Sequence, residues 1–298
     1  MFNILKPRHK ARSVQIFTRE GIPNVTILGL PHSYWNDTYH LLLTMPWPGF
    51  LGLTACFYLV TNLIFAALYL SLPDGIANAE SGSFIDMFSF SVQTMATIGY
   101  GAMYPKSPIA HALVTLEVWI GLLGIAMVTS LMFTRFARPT ARIMFSRYAV
   151  IVPYEGVPTL MFRAANQRAN QILEAQVSVA ILRLETTTDG HTMRRFYDLK
   201  LARSRSPVFA LTWTVMHTID ESSPLWGMSV ESLVNDNDLT IIVTMTGIDE
   251  TLSQTIHARH AYLARDILWN QRFVDMVLPL PGGRRAIDYH RFHEVVPW

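Results

Sequence analysis

Between Gly82 and Pro105 the chain reads GSFIDMFSFSVQTMATIGYGAMYP, and its most chemically specific piece is Thr97-Ile98-Gly99-Tyr100-Gly101. Gly99 and Gly101 have no Cβ, so they reach the backbone angles that turn successive carbonyls to one side. A row of carbonyls turned this way can replace the water shell of a dehydrated potassium ion. The Thr97 hydroxyl adds a further oxygen, so Thr97, Ile98, Gly99 and Tyr100 are the expected K+ ligands. One loop supplies only one side of each oxygen ring, so the chemistry requires four copies around one axis.

Such a loop must be held at membrane depth, where irregular backbone is tolerated only beside a water-filled path. Ser83 followed by Asp86 resembles a capping box, with Asp in place of the usual Glu or Gln. Phe84 to Ala96 then predicts a short helix, which enters a membrane part way and directs its negative C-terminal end toward a cation. Two stretches flank it. Leu41 to Pro73 contains no Asp, Glu, Lys or Arg, and Ser107 to Thr134 contains Glu117 alone. Within them, Trp47–Leu72 and Ala110–Phe136 each supply the roughly 20 apolar residues that a membrane-crossing helix needs. Glu117 lies at about the depth of the loop. An intramembrane carboxylate is costly and usually finds a partner, so a hydrogen bond behind the loop is expected rather than ion coordination.

The flanking charges orient these spans. Lys6, Arg8, Lys10, Arg12 and Arg19 precede the first, and Arg135, Arg138, Arg142 and Arg147 follow the second. The intervening loop sets Asp74, Glu80 and Asp86 against Lys106. By the positive-inside rule both termini are cytoplasmic. Pro31–Leu43 mixes aromatic, leucine and polar residues and reads either as an amphipathic surface helix or as a plain linker. The basic N-terminus is not followed by a short apolar stretch with a small-residue cleavage site, so no signal peptide is expected. Cys56 stands alone in the first span, which excludes an intrachain disulfide. No span carries arginine at every third residue, which argues against voltage sensing.

Of 298 residues, half are hydrophobic and 15% charged, below the roughly 25% usual for soluble domains. The charge returns at ordinary density after Arg135, so the remainder forms a soluble half. Its short apolar runs are Ala149–Val152, Thr159–Phe162, Val177–Leu184, Val208–Leu211, Thr240–Met245 and Phe273–Leu278. They are separated by Asp189-Gly190, Pro224 to Gly227 and Pro281-Gly282-Gly283. This spacing predicts a β-sandwich, with a short helix at Ser229–Val234. Nucleotide-binding and catalytic signatures are absent, and His257 and His260 have no metal-ligating companions. A net charge of +2 gives no reason to expect nucleic acid. A β-domain that senses a ligand on a membrane anchor is the competing reading, but it leaves the TIGYG segment without a purpose. An anchored enzyme lacks any supporting constellation.

Beyond the loop, Leu160–Ala175 (LMFRAANQRANQILEA), Trp213–Gly227 (WTVMHTIDESSPLWG) and Ala258–Phe273 (ARHAYLARDILWNQRF) occur in order. With these segments the chain resembles the prokaryotic inward rectifier potassium channels over nearly its whole length. The resemblance implies an α+β membrane protein with two transmembrane helices, a pore helix and a selectivity filter, followed by an immunoglobulin-like cytoplasmic β-sandwich. Residues 1–46 would form a cytoplasmic N-terminus with a slide helix. Residues 47–136 would form the pore domain, with outer helix 47–72, pore helix 84–96, filter 97–101 and inner helix 110–136. A linker over 137–147 and a regulatory domain over 148–298 would follow.

The resemblance further implies a homotetramer in the bacterial inner membrane, with K+ as the permeant ion and no cofactor. Gly121 falls where the inner helix bends, and Ile125, Thr129 and Phe133 line the pore, with Phe133 at its narrowing. Gly247 and Ile248 match the loop that makes a second, cytoplasmic constriction. Strong rectifiers have an acid at the position of Ile125, and eukaryotic members often have one at that of Thr246, so weak rectification is expected. Asp189 either lines the cytoplasmic pore or serves its turn. Eukaryotic members also staple the external loop with paired cysteines, which this chain lacks. Arg135, Arg138 and Arg142 either satisfy the positive-inside rule or, as in the family, bind anionic or phosphoinositide-type lipids, at roughly 1 kcal/mol per cation.

Overall fold

The computed structural model describes residues 37–229 and 239–298, and the described residues divide into two compact units, one ending at Arg138 and one running from Pro139 to Trp298. The N-terminal cations and most of Ser229–Val234 lie outside the described residues. In the first unit, α1 (Thr38–Thr44) is followed at once by α2 (Trp47–Leu70). Pro46 divides them, because a residue before proline is driven out of the helical region, and Met45 accordingly adopts φ −59° and ψ 151°. Helix α1 corresponds to the C-terminal part of the expected surface segment, whose first residues are outside the described range.

Helices α2 and α4 (Pro108–Phe136) are long and apolar enough to cross a membrane, with mean hydropathies of 1.9 and 2.0. At 1.5 Å per residue they measure about 36 and 43 Å, more than a hydrocarbon core of about 30 Å. Helix α2 ends at Leu70, two residues before the expected limit. Helix α4 begins at Pro108, two residues before it, because Ser107 caps it by accepting from the Ala110 N–H at 3.1 Å. The short helix α3 (Phe84–Met95) lies between them, one residue shorter than expected, capped by Ser83 through the Asp86 N–H. The capping box is only half made, since the Asp86 carboxylate accepts from the Glu80 N–H, at 2.8 Å. Strands β1 (Ile76–Ala77) and β2 (Tyr104–Pro105) pair antiparallel and close the loop that contains α3 and the TIGYG segment.

The second unit is a two-sheet sandwich. One sheet contains β6 (Ile172–Thr186), β7 (Thr192–Asp198), β8 (Arg205–Phe209), β10 (Thr240–Asp249) and β11 (Gln254–Leu263). The other contains β3 (Ile143–Phe145), β4 (Ala149–Tyr154), β5 (Val157–Asn166), β9 (Thr212–Thr218) and β12 (Ile267–Trp269). Alternating side chains face inward, so Val177, Val179, Ile181, Ile241, Val243 and Met245 of the first sheet pack against Ile151, Leu160, Phe162 and Val215 of the second. The expected run Phe273–Leu278 is not one strand. It divides into β13 (Gln271–Phe273) and β14 (Val277–Pro279), which pair with β16 (Val295–Pro297) and β15 (Arg285–Ile287). Asp189 lies in the exposed β6–β7 turn, where the Gly190 N–H donates to the Thr187 carbonyl at 2.9 Å.

Candidate functional site

The pore-helix end and the segment after it are built by local hydrogen bonding. The Ala96 N–H donates to the Val92 carbonyl at 3.0 Å, the Thr97 N–H to Thr94 at 3.1 Å and the Ile98 N–H to Gln93 at 2.8 Å. From there the backbone alternates in hand: φ is +56° at Thr97, +62° at Gly99 and +80° at Gly101, while Ile98 and Tyr100 remain at negative φ. Residue-by-residue alternation between left- and right-handed angles brings successive carbonyls to the same side. The threonine is the unexpected member, because its branched Cβ makes positive φ a genuine outlier. All five residues are exposed in the single chain. Beyond them, the Asn78 side-chain amide donates to the Ala102 carbonyl at 2.8 Å and ties the exit of the segment to the outer loop.

A buried polar cluster stands behind α3. The Tyr69 hydroxyl of α2 donates to the Glu117 carboxyl of α4 at 2.6 Å, and the Ser91 hydroxyl of α3 makes a short contact with the other carboxyl oxygen. Ser91 also lies 3.0 Å from Asn62 Oδ1, and the Asn62 amide donates to the Tyr58 carbonyl at 2.7 Å and contacts Met95 Sδ at 3.3 Å. The side chains of Tyr69, Asn62, Ser91 and Glu117 are all buried. Glu117 is therefore hydrogen-bonded behind the loop. Its partners could not be told from spacing alone, although polar residues within apolar spans usually mark such contacts.

Gly121 is buried against the same helix end. A Cβ there would lie 2.7 Å from the Met95 carbonyl oxygen and 3.1 Å from Met95 Cγ, so glycine is required for close packing, and α4 runs unbroken through it. Ile125, Thr129 and Phe133 are exposed on the isolated chain. Ile125 and Thr129 also border a cavity of about 350 Å³ against α2, beside Thr54, Phe57 and Tyr58.

Arg135, one of the three cations that either satisfy the positive-inside rule or bind lipid, turns its side chain onto protein groups. Its guanidinium donates to the carbonyls of Leu42 (2.5 Å) and Met45 (2.6 Å) at the C-terminal end of α1, and lies 4.7 Å from the centres of both the Trp47 and Phe50 rings. With both terminal nitrogens bonded to carbonyls and two rings packed against it, the guanidinium latches α1 to α4, leaving Arg138 and Arg142 as the exposed cations.

Gly247 and Ile248 form no loop. They lie within β10, paired with Ile256 and Thr255, at a register shift against β6. A Cβ on Gly247 would be 2.4 Å from Ile172 Cγ2. The loop proper is the following turn, Glu250 to Ser253, and buried Asp249 organises it. Asp249 accepts from Asn170 at 3.0 Å and from the backbone N–H groups of Thr251 (2.9 Å) and Leu252 (3.2 Å). It also pairs with Arg168 at 3.1 Å. Burial opposes its charge, but these donors together hold the carboxyl below the usual range. Arg168 also donates to Thr140 Oγ1 at 2.9 Å, joining the start of this unit to the turn. Buried His217, bonded to the Lys200 carbonyl and to Ser223, is pushed down by desolvation and kept neutral.

Comparison with known proteins gives this arrangement a family. The model described as the inward rectifier potassium channel C-terminal domain matches residues 143–297, and one described as an ion channel matches residues 53–138. The chain is 50% identical to the inward rectifier potassium channel Kirbac3.1 of Paramagnetospirillum magnetotacticum, over 96% of this chain and 97% of that one. The chain belongs to the inward rectifier potassium channel family. More distant inward rectifiers align as well. The ATP-sensitive inward rectifier potassium channel 11 of Homo sapiens is 28% identical over 98% of this chain and 81% of its own. The G protein-activated inward rectifier potassium channel 3 of Mus musculus is 29% identical over 88% of this chain and 72% of its own. This inward rectifier family member is thus a membrane channel protein and not an enzyme, with two candidate spans and a β-rich C-terminal domain.

Proposed function

We propose that the chain conducts K+ passively as a homotetramer in the bacterial inner membrane, with both termini cytoplasmic. Thr97 to Gly101 would form the filter, and the carbonyls of Thr97, Ile98, Gly99 and Tyr100 with the Thr97 hydroxyl would replace the ion's water shell. The observation that carries this reading is the alternation of backbone hand at Thr97, Gly99 and Gly101 directly beyond a half-length helix. Ile125, Thr129 and Phe133 line the inner pore in this reading, and Phe133 narrows it. The β10–β11 turn next to Gly247 and Ile248 forms the cytoplasmic constriction.

Gating in this proposal joins the inner-helix bundle to the cytoplasmic unit, and anionic lipids, including phosphoinositides, act on it through Arg138 and Arg142. The apolar Ile125 and the neutral Thr246 favour weak rectification. Uptake of a potassium surrogate by liposomes containing the purified protein tests the proposal. Barium-sensitive uptake indifferent to sodium supports it. An absence of uptake in every lipid mixture, with or without phosphoinositides, refutes it.

A further inference from the structure

The cluster behind the filter has a proton count that only one arrangement satisfies. The Ser91 hydroxyl has one hydrogen to donate, yet its oxygen contacts both Asn62 Oδ1 and Glu117 Oε1. If Glu117 were a carboxylate, both neighbours would be acceptors, and one contact would press two lone pairs together. Turning the Asn62 amide over does not help, because its oxygen would then lie 2.7 Å from the Tyr58 carbonyl. The Tyr69 hydroxyl is already committed to Glu117 Oε2.

We propose that Glu117 carries a proton, and that this neutral carboxyl locks the pore helix to both spanning helices. Glu117 then donates to Ser91, Ser91 to Asn62 Oδ1, Asn62 to Tyr58 and Met95, and Tyr69 to Glu117. Every contact in the cluster has its own proton. The surroundings agree with a neutral group. The bonded partners of Glu117 are Tyr69 and Ser91, neither of them a cation, and its side chain is fully buried. Among the described residues, Tyr69 is the one titratable group bonded to it. Helix α3 contributes Ser91, and on α4 the residues one turn away, Leu113 and Gly121, are uncharged. A fully satisfied buried network of this kind fixes one geometry. Because it ends on Met95, two residues before Thr97, Glu117 is a positioning residue for the filter. That last role rests on the conduction proposal, whereas the proton assignment does not.

Infrared difference spectra between the unmutated protein and Glu117→Gln, both in liposomes at neutral pH, test the assignment. The expected result is loss of a protonated-carboxyl stretch. Loss of carboxylate bands alone overturns it. Carboxyl-13C labelling of glutamate in the unmutated protein gives a second measurement without any variant: the protonated band must move to lower frequency, and its absence overturns the assignment. In flux assays Glu117→Ala is expected to lose discrimination against sodium and Glu117→Gln to restore it, since an amide can donate to Ser91 and accept from Tyr69. Glu117→Gln that fails to assemble, or behaves as Glu117→Ala does, overturns the positioning role. A protein that conducts nothing still gives the infrared result, so failure of the conduction reading is told apart from failure of this one.

Discussion

Gly121→Ala separates packing from bending at the inner helix. The added Cβ would lie 2.7 Å from the Met95 carbonyl oxygen. This is a backbone atom that no rotamer change moves aside, so the end of the pore helix must retreat by several tenths of an ångström. Overpacking of this kind costs about 1–3 kcal/mol, while alanine regains at most about 1 kcal/mol of helix propensity over glycine. The expected net effect is destabilisation. Gly124→Ala is the control on the same helix: its Cβ would meet Phe57 Cε1 at 3.5 Å, an ordinary contact, so only the propensity gain remains. Thermal melting of the purified protein should place Gly121→Ala below the unmutated protein and Gly124→Ala at or above it. Liposome flux of Gly121→Ala should become sensitive to sodium, because Met95 lies two residues before Thr97. Two variants with equal melting points and equal selectivity would refute the packing argument and leave bending as the role of Gly121.

Gly99→Ala places a Cβ at φ +62°, a left-handed geometry that costs about 1–2 kcal/mol, and barium-sensitive flux should be abolished. Vesicle-binding assays should separate the junction cations: Arg138→Ala and Arg142→Ala are each expected to weaken binding to anionic liposomes by about 1 kcal/mol, roughly fivefold. Arg135→Ala should leave that binding nearly unchanged yet lower the melting point, and Arg135→Lys should not rescue it, because one ammonium cannot reproduce two nitrogens bonded to two separate carbonyls. For the β10–β11 turn, the folded-state carboxyl of Asp249 titrates lower than the unfolded one, so its contribution is present above about pH 4 and lost as pH falls through the depressed folded value. Acid unfolding followed by circular dichroism should therefore show a shallower pH dependence in Asp249→Asn, from a lower starting stability.

The sequence was most legible where chemistry restricts residue type. TIGYG, a helix too short to span and two stretches with Glu117 as their one charge leave few alternatives, and the helix bounds agree with the expected ones to within two residues. Thr97 shows the limit, since a branched residue gives no sign in its own chemistry that it will take positive φ. The sandwich was readable in its apolar strands but not in β7, β9 and β11. In β7 the adjacent Arg194 and Arg195 break the hydrophobic alternation, in β9 an inward position is taken by His217, and in β11 the alternation of buried Ile256 and Ala258 with exposed His257 and Arg259 is short and weakly apolar, so pairing partners far along the chain decide the structure. Gly247 was expected in a loop because it matches the family's cytoplasmic constriction, whereas here it lies within β10 and its missing Cβ admits Ile172. Arg135 could not be sorted from Arg138 and Arg142 by position, because the far-upstream Trp47 and Phe50 determine which of the three turns inward.

The contact between Arg135 and the end of α1 gives the membrane-surface helix a mechanical role. Two charge-assisted bonds and two flanking rings make this junction stiff, and Arg135 lies two residues beyond Phe133 on the same helix. A displacement of α1 is then carried to α4 close to Phe133.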